Sequence, residues 1–203
     1  MNKRFITFIG AILAGIAIGI GGTIYLTVAN KVVGAILFSV GLYIICVHKL
    51  NLFTGKIGYC LDQPKSYLID LLIIWFGNFI GTCFTASLIW LTRIGKLIQQ
   101  NAYNVCQVKL EDNVISLFFL GVFCGILMYS AVEGYRRTHN PLLLFACVSV
   151  FILCGFEHCV ADMFYFAAAV CWNFKAVAAI IVITLGNSIG AILMSSYKRC
   201  LDD

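Results

Sequence analysis

Long apolar runs, interrupted at a few points by polar residues, make up most of this chain. Each run reaches or exceeds the roughly 20 residues that a helix needs to cross a bilayer. Six such segments can be distinguished, at 5–28, 32–59, 67–91, 114–132, 142–174 and 176–197. The pattern predicts an all-α membrane protein with six transmembrane helices in a single transmembrane domain, residues 1–203.

The second and fifth segments are longer than one helix requires, and each has a polar interruption. His48, Lys49 and Asn51 interrupt the second segment, and Glu157-His158 interrupts the fifth. Both segments are therefore predicted to be broken helices. Irregular backbone at membrane depth is tolerated only where it lines a cavity or is buried in protein. We therefore expect the two breaks to meet at a central pathway.

A short motif recurs in the third and sixth segments. It reads Gly77-Asn78-Phe79-Ile80-Gly81 and then, 109 residues later, Gly186-Asn187-Ser188-Ile189-Gly190. Small residues at this spacing favour close helix packing, and the asparagines are candidates for hydrogen bonds between helices. An offset of 108 aligns the two polar interruptions and sets Thr54 opposite Asp162. Because a repeat of three spans reverses direction in the bilayer, the pattern predicts inverted halves, about 1–100 and 110–203.

Composition and charge exclude a soluble protein and indicate an orientation. The 203 residues are 62% hydrophobic and 11% charged, with a mean hydropathy of +0.97, far from soluble domains. Of the 14 Lys and Arg residues, eight fall on the predicted side of the termini and five on the other. Cytoplasmic loops carry the excess of Lys and Arg, so the count predicts a multi-pass protein of the cytoplasmic membrane with both termini cytoplasmic. Nucleic acid is not an expected partner.

The ten cysteines do not indicate a metal or thiol enzyme. No C-x-x-C or H-E-x-x-H spacing occurs, and cysteines within apolar runs behave as small hydrophobes. No cofactor is expected. A membrane-embedded enzyme nevertheless remains an alternative to a transporter.

Three motifs in order give the chain a family resemblance. Leu52-Phe53-Thr54-Gly55, Gly155-Phe156-Glu157-His158 and Gly186-Asn187-x-Ile189-Gly190 resemble the formate/nitrite transporter family. The resemblance implies an aquaporin-like fold, a homopentamer with one pore per subunit, and channel-like transport of a small monovalent anion, often with a proton. Formate is favoured, and nitrite, hydrosulfide, acetate and lactate are alternatives.

The resemblance also carries residue roles onto this sequence. It places the central histidine at His158, the loop threonine at Thr54 and a vestibule lysine at Lys109. The apolar constrictions fall on residues toward the outside and toward the cytoplasm, respectively Phe38 with Phe151 and Leu42 with Phe53. Because an imidazole titrates near neutrality, at about pH 6.5 when unperturbed, His158 is expected to exchange a proton with the passing anion.

Three positions depart from the family pattern. Asn51 replaces an acid, Gly125 replaces an asparagine in the fourth segment, and Asp162 replaces an asparagine before Met163. Gly125 is expected to widen or rewire the site. Asp162 is expected to cap the second half of the fifth segment, where a carboxylate suits a helix amino terminus.

Two neighbouring charges have competing interpretations. Glu157 is expected to pair with backbone groups or a neighbouring subunit, or else to tune the charge of His158. Lys109 either attracts the anion at an outer vestibule or is a solvated loop charge beside Glu111 and Asp112. Asn51, Asn78 and Asn187 are expected to support the site.

A neutral-solute pore of the aquaporin type is a further alternative. The resemblance gives that fold, but a fold does not fix a function. The sequence contains no Asn-Pro-Ala pair in either broken helix, and Pro64 and Pro141 both lie outside them.

Overall fold

The computed structural model describes residues 2–202, which are almost entirely helical. Its α-helices are α1 (Lys3–Thr27), α2 (Lys31–Val47), α3 (Phe53–Lys56), α4 (Tyr67–Trp90), α5 (Gly95–Glu111), α6 (Val114–Thr138), α7 (Leu142–Leu153), α8 (Cys159–Ala169) and α9 (Phe174–Asp202). A 3-10 helix, Ile57–Asp62, follows α3 directly.

The helices follow the predicted segments closely. The four helices long and apolar enough to cross a membrane are α1, α4, α6 and α9, which correspond to the first, third, fourth and sixth segments. The second segment divides into α2 and α3 around residues 48–52, and the fifth divides into α7 and α8 around residues 154–158. Both predicted breaks are therefore present, the second starting slightly earlier than Glu157. Helix α6 also runs past the predicted end of its segment.

Helix α5 was not among the predicted elements, because the connection that contains it is polar. Its buried positions include Ile98, Ala102, Cys106 and Lys109, and it packs mainly against α8. Residues three or four apart share one face of a helix. This spacing is the signal in the sequence that could have identified α5 as an amphipathic helix.

Glycines allow two helix pairs, α1 with α4 and α6 with α9, to pack at very short distances. A Cβ added at Gly81 would lie 2.1 Å from the Ile12 carbonyl oxygen, and one at Gly190 would lie 2.0 Å from that of Val122. No real side chain fits at such distances from backbone. The predicted role of the repeated glycines in close packing is therefore confirmed.

The two breaks begin with the same backbone turn. Helix α2 ends before Lys49, which has a φ of 53°, and α7 ends before Gly155, which has a φ of 69°. In each case the next residue donates its N–H to a carbonyl five positions earlier, at 2.9 Å. This is the Schellman arrangement, which needs a left-handed residue after the helix.

These turns give the register that relates the two breaks. Lys49 corresponds to Gly155, so the offset is two residues shorter than the predicted 108. Thr54 then corresponds to Val160. The prediction that Thr54 lies opposite Asp162 was wrong, because it aligned the polar residues of the interruptions and not the helix ends.

Candidate functional site

A buried asparagine on α4 holds the first break. The Asn78 side-chain amide donates to the carbonyl oxygen of Asn51 at 2.9 Å and to that of Ala11 at 2.8 Å, and its oxygen accepts from the Phe53 N–H at 2.9 Å. Asn51 is held further by its own amide, which donates to the Thr7 carbonyl oxygen. Backbone groups that the break removes from helical hydrogen bonding are satisfied in this way.

The corresponding asparagine on α9 holds the second break in the same manner. The Asn187 amide donates to the carbonyl oxygens of Glu157 and Gly121, both at 2.8 Å, and its oxygen accepts from the Cys159 N–H at 2.9 Å. Both asparagines are fully buried. Each asparagine of the repeated motif therefore makes three hydrogen bonds that hold one break in place. The sequence predicted only that these asparagines form hydrogen bonds between helices.

The two breaks meet at a hydrogen bond between Thr54 and His158. The Thr54 Oγ1 atom lies 2.8 Å from His158 Nε2, and both side chains are buried. Thr54 belongs to α3, directly after the first break, and His158 closes the second. The prediction that the breaks meet inside the protein is confirmed.

Backbone geometry fixes the protonation of His158 in this arrangement. Its Nδ1 atom accepts a hydrogen bond from the Ala161 N–H at 3.0 Å and so caps α8. A ring nitrogen that accepts cannot carry a proton, so a neutral ring has its proton on Nε2. Nε2–H therefore donates to Thr54 Oγ1, which leaves the threonine hydroxyl hydrogen free for a ligand.

Apolar side chains flank this pair. The Phe151 ring stacks on the His158 ring with centroids 5.7 Å apart and meets the Phe38 ring edge-on at 5.9 Å. Leu42 and Phe53 are also buried. All four predicted constriction residues therefore lie in the protein interior. Phe38, Phe151 and His158 make consecutive ring contacts.

Two cavities lie at opposite ends of the bundle. One, of about 400 Å³, lies where α6 ends, and its lining includes Lys49, Lys56 and Arg136. The other, of about 240 Å³, lies where α1 ends, and its lining includes Phe151 and His158. Thr54 is fully buried and lies between the two cavities.

Lys109 is a buried charge and not a solvated one. Its ammonium lies 2.9 Å from Asp162 Oδ1 and donates a hydrogen bond to Glu157 Oε2, and all three side chains are less than a tenth exposed. These residues line the smaller cavity beside His158. Placement of Lys109 in a solvated loop was therefore wrong, because α5 packs its last turn against α8.

Two further expectations change in this region. The Glu157 side chain pairs with Lys109 and not with backbone groups, which was one of the expected pairings. Its pairing with a neighbouring subunit and its tuning of the His158 charge stay predictions. Asp162 lies in the first turn of α8, but the cap is the His158 ring, so the capping role predicted for Asp162 was wrong. Gly125 lies at the contact between α6 and α9, where a Cβ would lie 2.2 Å from the Asn187 carbonyl oxygen. Its effect on the site stays a prediction.

A second charge cluster, at the end of α6, was missed by sequence reasoning. Glu133 is 5% exposed and accepts hydrogen bonds from Tyr59, Arg136, Arg137 and Lys198 at 2.6–2.9 Å. It links α6 to the 3-10 helix and to α9. A glutamate followed at i+3 and i+4 by two arginines was the available signal.

An apolar helical bundle, broken at two buried points between two cavities, is the architecture of a membrane transport protein. The family model described as formate/nitrite transporter matches residues 2–198. This chain belongs to the formate/nitrite transporter family, which confirms the resemblance drawn from its motifs.

Individual relatives agree with this assignment. The chain is 26% identical to the formate channel FocA of Haemophilus influenzae, over 98% of this chain and 88% of that protein. It is also 26% identical to the nitrite transporter NirC of Escherichia coli, over 92% and 80% of the two chains. The relatives are thus channels and transporters and not enzymes.

The fold is shared with solved channels. A structure described as a pentameric formate channel with formate bound superposes with a TM-score of 0.82 at 25% identity, covering 98% of this chain and 97% of that one. A second, described as an FNT family ion channel, has a TM-score of 0.86 at 22% identity and covers 100% and 92%. The latter shows the fold alone.

Proposed function

We propose that this protein is a channel-like transporter of small monovalent anions in the cytoplasmic membrane, with formate as the preferred anion. The observation that carries the proposal is the Thr54–His158 hydrogen bond, which joins the two breaks between two cavities. Relatives named as formate channels, and a related channel described with formate bound, favour formate over nitrite.

The proposed channel is one transmembrane domain of six spans, built from inverted halves at about 1–100 and 110–203. Matching asparagine hydrogen bonds and matching left-handed turns in the two halves support the repeat. The distribution of Lys and Arg supports cytoplasmic termini. A homopentamer is proposed because a solved relative that shares the fold is described as pentameric.

Charge at the larger cavity favours anion entry from the side of the termini. Lys49, Lys56 and Arg136 line it, and clefts lined by one sign of charge concentrate the opposite ion. An isolated charge faces a large cost in the bilayer centre, of about 2.5–3.5 kcal/mol on insertion scales for an acidic side chain. The anion must therefore be neutralised or well solvated before it passes the apolar residues.

The hydrogen bonds of His158 suggest how the proton is supplied. The free hydroxyl hydrogen of Thr54 first donates to the anion. A proton taken up at His158 Nδ1 displaces the Ala161 N–H, and the resulting imidazolium transfers its Nε2 proton through the Thr54 hydroxyl to the anion. Exchange with water then moves the remaining ring proton from Nδ1 to Nε2, which restores the neutral, capped form. The neutral weak acid next passes Phe38 and Phe151 if it entered from the side of the termini, or Leu42 and Phe53 if it entered from the other side.

The test is uptake of formate, nitrite and hydrosulfide by proteoliposomes under an imposed pH gradient. Thr54→Val keeps the shape of the side chain but removes its hydroxyl, so we expect formate flux to fall roughly tenfold, equivalent to about 1.4 kcal/mol. Thr54→Ser should retain most of the flux. His158→Asn should remove the dependence on the pH gradient.

His48→Asn is the matched control, because it makes the same substitution at an exposed histidine outside the proposed pathway. Wild-type flux in Thr54→Val, or an unchanged gradient dependence in His158→Asn, would refute the proposed mechanism. Faster nitrite than formate transport would reassign the substrate, and glycerol uptake without anion flux would indicate the neutral-solute pore.

A further inference from the structure

The wall of the smaller cavity contains two carboxylates and one ammonium. Glu157 and Asp162 both contact the ammonium of Lys109. Asp162 is 1% exposed and Glu157 is 5% exposed. The cluster lies next to His158 in the lining of the same cavity, so its charge acts directly on any anion there.

One carboxylate oxygen of this cluster has no partner. Asp162 Oδ1 contacts Lys109, but no group within residues 2–202 hydrogen-bonds to Asp162 Oδ2. A buried anionic oxygen without a donor is costly, and two buried carboxylates that share one site do not both ionise readily. A proton on Asp162 removes the uncompensated charge.

Apart from Lys109, the titratable groups near Asp162 supply no positive charge to balance the two carboxylates. The titratable groups that interact with Asp162 are Lys109 and Cys106 on α5, Glu157 in the break, Cys124 on α6, and Cys159 and Tyr165 on α8. His158 in the break and Tyr25 on α1 line the same cavity. Since His158 is neutral in the capped arrangement, Lys109 is the cation of this group.

We propose that Asp162 binds a proton and thereby sets the charge of this cavity, which controls whether an anion reaches His158 from that side. With Oδ2 protonated, the three residues are neutral together. Once that proton leaves to water in the cavity, they carry one net negative charge, which repels an anion. The inference rests on the proposed anion transport and names its regulation.

Two readouts separate this inference from the proposed function. The first is infrared spectroscopy of the reconstituted protein, in which a protonated carboxyl group has its own absorption band. We expect a titratable band in the wild type that Asp162→Asn and Glu157→Gln both lack, since each variant leaves one carboxylate for one lysine. Asp112→Asn, which removes a charge from the same end of the bundle, should keep the band.

The second readout is formate flux at equal pH on both sides, expressed as the ratio of Asp162→Asn to wild type. Taking the ratio cancels the pH dependence of formate and of His158. We expect this ratio to rise about tenfold as the pH is raised through the range in which Asp162 loses its proton, at the lower end of the effects of charged clefts. Glu157→Gln should behave as Asp162→Asn does, and it tests the proposal if Asp162→Asn fails to fold.

A ratio that stays constant with pH, or a carboxyl band that persists in both variants, would overturn the role of Asp162 while leaving anion transport intact. Absence of flux in every protein at every pH would refute the proposed function. In that case the infrared band alone decides whether Asp162 binds the proton.

Discussion

Replacement of Asn187 by alanine should destabilise the protein strongly, because this side chain satisfies backbone groups that have no other donor or acceptor. The Cys159 N–H, at the start of α8, and the Glu157 carbonyl oxygen, in the break, both lose their partner. The Gly121 carbonyl oxygen lies within α6 and so keeps a helical donor. Each buried, unsatisfied group costs about 1–3 kcal/mol, so the expected loss is about 2–6 kcal/mol.

The loss can be measured by heating the purified oligomer with a thiol-reactive fluorophore. Four cysteines are buried and become reactive only on unfolding: Cys106, Cys124, Cys147 and Cys159. For a chain of this length each kcal/mol shifts the midpoint by about 2–4 °C, so Asn187→Ala should lower it by roughly 10 °C. Asn78→Ala should cause a similar shift, because its side chain makes the equivalent hydrogen bonds.

The matched control is Asn104→Ala, which changes the same residue type on an exposed face of α5. It should leave the midpoint within about 1 °C of the wild type, as expected for a surface substitution. Midpoints for Asn187→Ala and Asn78→Ala that match this control would refute the argument that the asparagines hold the breaks.

Four further substitutions give three predictions for the purified protein. Glu133→Gln should cost about 2–3 kcal/mol, because it weakens several charge-assisted hydrogen bonds at once, and an unchanged midpoint would contradict this. Gly190→Ala should abolish most of the folded oligomer on gel filtration, since its Cβ would overlap the Val122 carbonyl; a normal elution profile would refute that contact. Gly155→Ala should cost about 1–2 kcal/mol from its left-handed backbone alone, whereas Lys49→Gly should not destabilise; equal losses in both would argue against the shared turn.

Local sequence determined much of the fold, because the length of a membrane span, its apolar composition and its breaks all depend on consecutive residues. The four long helices and both breaks lie where the pattern placed them. Helix α5 was missed because its apolar face is narrow and its overall composition is polar. Its buried positions follow a helical period that a search for long apolar runs does not detect.

The sequence also indicated which residues enter the candidate site, through the family resemblance for His158 and Thr54 and through the repeated motif for Asn78 and Asn187. His158, Thr54 and the two asparagines are polar groups within apolar segments, and such groups must find partners when buried. Their identification therefore needed no knowledge of how the helices pack.

Tertiary structure alone decided how those groups are paired. Lys109 contacts Asp162 and Glu157 from positions about 50 residues away along the chain, and Thr54 contacts His158 across 104 residues. Neither pairing follows from local sequence, because each depends on the angle and distance at which two helices cross. Glycines such as Gly81 and Gly190 set these quantities for α1 with α4 and for α6 with α9, because their missing side chains bring the backbones into contact.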